Sequence, residues 1–182
     1  KDVDDGIYLS AFGLDLNRPG TAHFFEAVGG GVGRDDQFYG VQFGRYNDWR
    51  VRLFYNETPH VFTTTFRPVW NGVNSGMLTL KPGLTPGGSG STAQDNIDVA
   101  AVANANANTA IGLVRTKSGA RLDMQLVDRW KFFASYSHEK REGGRPFGSV
   151  WQGGGGAIAM ELVEPIDYVT HDILAGFHYA DA

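Results

Sequence analysis

Along much of this chain the side chains alternate between apolar and polar every second residue, the period of a β-strand and not of a helix. In Trp49-Arg50-Val51-Arg52-Leu53-Phe54-Tyr55 the odd positions are Trp, Val, Leu and Tyr, and the even ones are Arg, Arg and Phe. A strand sends these sets to opposite faces, one apolar and bounded by aromatics, the other cationic. The preceding run is similar, with Tyr39, Val41 and Phe43 opposed to Gly40, Gln42 and Gly44. Only Asn47-Asp48 stands clear between the two runs, which predicts a tight hairpin. In a second hairpin Leu122, Met124 and Leu126 alternate with Arg121, Asp123 and Gln125, and Asp128-Arg129 makes the turn. Trp130, Phe132, Ala134 and Tyr136 then alternate with Lys131, Phe133, Ser135 and Ser137. Phe54 and Phe133 interrupt the polar faces.

Near the end, His171, Ile173, Ala175, Phe177 and Tyr179 oppose Asp172, Leu174, Gly176 and His178. Weaker strand patterns cover 6–16, 22–33 and 109–116, the last closed by a Lys117-Ser118-Gly119 turn. The expectation is an all-β chain of about eight antiparallel strands with no convincing amphipathic helix. Two stretches read as long loops: 57–108, with Pro59, Pro68, Pro82, Pro86 and an Ala/Asn-rich tract, and 141–167, with Gly143-Gly144 and Gly153 to Gly156. In an up-and-down barrel successive turns fall at alternate ends, and this strand count puts the two long loops at opposite ends. Outer-membrane barrels keep their long loops on one side. Either a strand hides within 57–108 or one long segment folds into the lumen.

Composition narrows the functional classes. The chain has 182 residues and a net charge of -4, so it lacks the basic excess of a nucleic-acid binder. No run of about 18 apolar residues exists, which leaves strands as the one possible route across a bilayer. With no cysteine, there is no disulfide framework, thiolate metal site, cysteine nucleophile or covalently attached c-type haem. Beginning at Lys1, the chain reads as a processed protein or an excerpt.

Alternating strands suit either a soluble sandwich, apolar face inward, or a membrane barrel, apolar face outward. The barrel is favoured by polar faces fit for a wet lumen and by Trp49, Tyr55, Trp130 and Tyr136 at the ends of the apolar faces, where interfacial girdles belong. Strands of about 8–11 residues also match the span of a tilted transmembrane strand.

No constellation of residues points to an enzyme. His23, His60, His138, His171 and His178 are scattered, and the odd separation of His171 and His178 puts them on opposite faces. Asp4-Asp5 and Asp35-Asp36 lack EF-hand spacing and read as turn acids. Gly29-Gly30-Gly31-Val32-Gly33 is followed by no Lys-Ser/Thr, so crowding or strand bending explains it better than a phosphate loop.

Longer segments resemble a known family. Tyr46-Asn47-Asp48-Trp49-Arg50, Leu53 to His60 and Gly72 to Leu80 are similar to the early barrel of the MtrB/PioB family, and Tyr136 to Phe147 continues the likeness. The most specific piece is Glu161-Leu162-Val163-Glu164-Pro165-Ile166-Asp167-Tyr168-Val169-Thr170, which resembles the family's ELPEPIDY-x-T segment with Val163 where a proline is common. The resemblance implies that 1–182 is part of one bacterial outer-membrane β-barrel domain, an arc of a barrel with many more strands than eight. It further implies a porin-like sheath around a periplasmic multihaem c-type cytochrome, through whose haems electrons cross the outer membrane. A cell-surface multihaem cytochrome is a further candidate partner. The chain would carry no catalytic residue, metal or cofactor, the haem belonging to the partner. Gln42, Arg50, Arg52, Arg121, Asp123 and Gln125 would face the lumen and that partner. Trp49, Val51, Leu53, Tyr55, Leu122, Met124, Leu126, Trp130, Phe132 and Tyr136 would face lipid. The glycines at 29–31, 40 and 44 would let the partner approach closely. The rivals are a small self-contained barrel without a cytochrome and a secreted β-sandwich binding module.

Overall fold

The computed structural model describes residues 8–73, 75, 77–153 and 156–180, with the side chains of 149–153 and 156–160 left aside. The strands are β1 (Leu9–Asn17), β2 (His23–Val32), β3 (Phe38–Arg45), β4 (Trp49–Phe66), β5 (Trp70–Asn71), β6 (Thr79–Leu80), β7 (Thr109–Val127), β8 (Trp130–Gly153) and β9 (Gly156–Tyr179), and α1 (Thr92–Asn104) precedes β7. β1, β2, β3, β4, β7, β8 and β9 form one open seven-stranded sheet in that order, while β5 and β6 pair separately. Two compact units emerge: 2–59, 114–141 and 168–182 form one, and 60–113 with 142–167 form the bulk of the other.

In the first unit the register follows the alternation. Leu16, Phe25, Phe43 and Val51 stand in one cross-strand row, and Leu14, Ala27, Val41 and Leu53 in the next. On the opposite face Asp15, Glu26, Gln42 and Arg52 form a row of their own. The first hairpin turn is longer than expected. Arg45 pairs with Trp49, so Tyr46 joins Asn47 and Asp48 in it, and Asn47 takes φ 61°. Asn tolerates that left-handed conformation because its short amide bonds locally.

The glycines serve the sheet itself. A methyl at Gly29 would sit 2.5 Å from the Phe12 ring and 2.8 Å from that of Tyr39, and one at Gly30 would sit 2.7 Å from Phe38. Gly40 faces Val28 at 3.2 Å, Gly44 faces the Trp49 carbonyl, and Gly31 adopts φ 62°. Gly29, Gly30, Gly40 and Gly44 are thus packed against neighbouring strands, and Gly31 against Asp36. Gly119 likewise lies under the Phe54 ring and Gly176 under that of Phe133. The two phenylalanines that interrupt the polar faces are therefore rings laid across glycines of adjacent strands.

Three expectations need correction. Lys117-Ser118-Gly119 is no turn, because β7 runs unbroken from Thr109 to Val127. Residues 141–167 are no loop: apart from Gly154 and Gly155, which lie outside the described residues, they belong to β8 and β9. Of 57–108, residues 57–66 extend β4, and a helix occupies Thr92–Asn104. One strand fewer between the long segments puts them at the same end of the meander. The connections at 18–22, 46–48 and 128–129 are short and share the other end.

The helix has a cap but little stripe. Ser91 accepts from the Gln94 amide, and Gln94 bonds Asp98 one turn on. Hydrogen bonds from Ser89 hold the Asp95 carboxyl below its ordinary pKa. Their stabilisation is therefore present at neutral pH and lost as pH falls through that depressed value. None of the helix residues is buried. The second unit's core is instead Phe66, Ile111 and Val163, with Val73 packed against it.

The glycine packing predicts an asymmetry. Gly119→Val would drive a side chain into the Tyr136 carbonyl and the Phe54 ring, whereas a methyl at Gly13 meets nothing within 4 Å. We expect Gly119→Val to cost about 1–3 kcal/mol and Gly13→Ala to be neutral, as checked by urea unfolding of the refolded full-length protein.

Candidate partner-binding face

The polar face of the first unit is joined by ion pairs across strands. Arg52 donates to Asp123 at 2.9 Å, linking β4 to β7, and Arg121 closes on the same carboxylate at 2.7 Å. Arg121 also lies over the Phe133 ring at 5.3 Å, reaching β8. On β1–β3 the row is acidic: Asn17 donates to Asp15 at 2.7 Å, and Gln42 donates to Glu26. Asp15 and Glu26 stand directly opposite, where like charges repel, and the two amides offset that repulsion.

A shallow groove of about 450 Å³ runs along this face, bordered by Arg50, Arg52, Arg121, Asp123, Gln125 and Lys131 among others. Arg50 lies over the buried Phe24 ring at 5.6 Å, which fixes the guanidinium beside the turn. Gln125 donates to the Val127 and Trp130 carbonyls, so part of its bonding capacity goes to holding the β7–β8 turn. Of the polar residues singled out from sequence, Gln42 alone lies outside the groove, on the same face and bonded to Glu26.

A further cluster escaped the sequence reading. Glu139 accepts from Arg115 at 2.6 Å and Arg141 at 2.8 Å, with Lys117 at 3.9 Å. The carboxylate is 12% exposed while Arg115 is 41% and Arg141 51% exposed, so cations form the outer surface. The signal was present as alternation of Arg115, Lys117, Gly119 and Arg121 along one strand. The supposed turn at 117–119 cut that run in two.

The opposite face carries the apolar set. Trp49, Val51, Tyr55, Leu122, Met124 and Phe132 are half-buried, and Leu53, Leu126, Trp130 and Tyr136 are exposed. None is sealed against a second sheet. Tyr136 bonds His171 Nδ1 at 2.9 Å, and the His138 and His171 rings lie 5.1 Å apart on this side, whereas His178 borders the groove. Asp36 pairs with Arg34, and Asp4-Asp5 lie outside the described residues. No cluster of potential metal ligands occurs among the described residues.

An exposed apolar face on a long antiparallel sheet is what an outer-membrane wall requires, and comparison with known families agrees. The model of the family described as outer membrane beta-barrel porin, MtrB/PioB, matches residues 1–182, the whole chain. The chain belongs to that family. No curated protein matches it. Membership places the porin in the outer membrane, and the open antiparallel sheet fits an arc of such a barrel.

The ion pairs on the porin's polar face are half-exposed, so each contributes modestly. A double-mutant cycle on Arg52→Ala and Asp123→Ala should give a coupling of about 0.5–1 kcal/mol, shrinking as salt is added during urea unfolding.

Proposed function

We propose that this porin forms part of the wall of a wide outer-membrane barrel that sheathes a multihaem c-type cytochrome, letting electrons cross the membrane through the partner's haems. The observation that carries the reading is the open sheet. β1 and β9 are each bonded to a strand on one side within it. In hydrocarbon an unpaired edge costs several kcal/mol per polar group, so further strands must continue the wall. A small barrel would be filled by its own side chains, whereas a wide one encloses space for a guest. In this reading the chain contributes neither catalysis nor a cofactor.

The facing follows from the same physics. Trp49, Val51, Leu53, Tyr55, Leu122, Met124, Leu126, Trp130, Phe132 and Tyr136 meet lipid, with the Trp and Tyr rings near its borders. Gln42, Arg50, Arg52, Arg121, Asp123 and Gln125 meet the lumen, where charge stays solvated or paired. At 24 residues each, β8 and β9 are more than twice the length needed to cross. Part of each of these strands accordingly lies outside the bilayer, and short turns belong to the periplasmic end of such barrels.

Three measurements test the proposal on the full-length protein. Haem absorbance should co-purify with the porin from detergent extracts, and its absence would favour a self-contained barrel. A chain that stays soluble without detergent would favour the sandwich instead. Val51→Asp or Leu53→Asp should impair outer-membrane assembly, at a cost of about 1–3 kcal/mol that grows with depth in the bilayer, while Gln42→Asp is tolerated. Equal tolerance at all three positions would reverse the facing.

A further inference from the structure

The charge on the polar face is divided unevenly between the two sides of the first unit. On β1–β3 it is acidic, with Asp15 and Glu26. On β4, β7 and β8 it is basic, although the chain as a whole carries -4. There Arg52 and Arg121 share Asp123, while Arg115, Lys117 and Arg141 share Glu139. Arg50 and Lys131 border the groove beside them. In both clusters the carboxylate is more covered than the cations around it, Asp123 at 33% against 46% for Arg52 and 38% for Arg121. The strip therefore presents an excess of ammonium and guanidinium groups, with Glu139 largely covered and Asp123 about as exposed as Arg121. Charge of one sign along a low-dielectric wall focuses the field and selects partners of the opposite sign.

We propose that the cationic strip on β4, β7 and β8 is the docking surface for an acidic, carboxylate-bearing face of the protein held in the lumen. The acidic row on β1–β3 sets that protein's rotational orientation by repelling the same face. This inference rests on the sheath reading and adds the chemistry of the guest's surface and its orientation. Guanidinium groups suit the role because their planar fork binds carboxylates bidentately and is weakly hydrated.

The test reverses the three cations that are least tied to the carboxylates, with Arg50→Glu, Lys117→Glu and Lys131→Glu combined in the full-length porin co-expressed with its cytochrome. The companion variant Arg50→Lys, Lys117→Arg, Lys131→Arg keeps the charge. Haem absorbance per assembled porin is read for each, with assembly scored by the heat-dependent gel mobility of the barrel. We expect about a tenfold loss of haem on reversal and a much smaller loss in the companion, where Arg50→Lys gives up the fork and the Phe24 contact but keeps the charge. We also expect easier stripping of haem from the wild type at about 1 M salt, where screening extends only about 3 Å. Reversal that leaves haem per assembled porin unchanged overturns the docking surface and leaves the sheath standing. A wild type that carries no haem overturns both. If the reversed variant fails to assemble, Arg50→Gln with Lys131→Gln replaces it under the same criterion. An empty barrel whose anion selectivity inverts on reversal would assign the strip to mobile anions and overturn the proposal.

Discussion

Inside a bilayer a backbone N–H or C=O without a partner has no water to turn to, and this requirement organises the whole chain. It explains why the polypeptide is spent on long antiparallel strands and why their pairing order follows the sequence, with an excursion only between β4 and β7. Sequential pairing is the simplest way to satisfy each strand as it is added. The excursion holds what the sheet does not need: the small β5–β6 ribbon and α1.

A wall of this kind has no interior to fill, so it is cemented within its own plane. Buried apolar residues among those described are few, and all but Phe24 belong to the second unit. In the first unit rings cross glycines instead, as with Phe12 and Tyr39 at Gly29, Phe54 at Gly119 and Phe133 at Gly176. A glycine weakens a strand by adding freedom to the unfolded chain. A ring laid across it recovers contact area and shields the neighbouring ladder. This accounts for the strand glycines at 29, 30, 119 and 176.

The sequence made the sheet legible wherever one face differed sharply from the other. Residues 39–55 and 121–136 alternate, interrupted by Phe54 and Phe133, because the two faces of the sheet differ in polarity, and a slip of one residue would exchange them. Where both faces meet similar surroundings the alternation fades. At 141–153 and 156–167 Gly143, Pro146 and Pro165 imitate turn punctuation, yet the backbone stays extended. At 117–119 a Lys-Ser-Gly triplet imitates a hairpin, but Gly119 is there to admit the Phe54 ring. The helix escaped notice because Ile97, Val99, Ala100, Ala101 and Val102 crowd together without a stripe of helical period. The same false turn hid Arg115 and Lys117 from the candidate site, and the supposed loop at 141 hid Arg141.

Correcting that turn also removes the difficulty of loops at opposite ends. With β7 continuous, the long excursion after β4 and the β8–β9 tip fall at one end, and the short turns share the other. The asymmetry is the usual one of outer-membrane barrels, with short turns at one end and longer segments at the other. The short-turn end is also tied together by backbone bonds, Tyr46 N–H to Ala22 O at 2.9 Å, Gln125 N–H to Asp48 O at 2.6 Å and Ala180 N–H to Arg129 O at 3.0 Å. Turns bonded to their neighbours leave little backbone free to move at that rim. The basic groove begins beside this fixed rim, at Arg50, Gln125 and Lys131. A rigid rim with charge mounted on it keeps the cations in place before any partner arrives, so less ordering remains to be done when one binds.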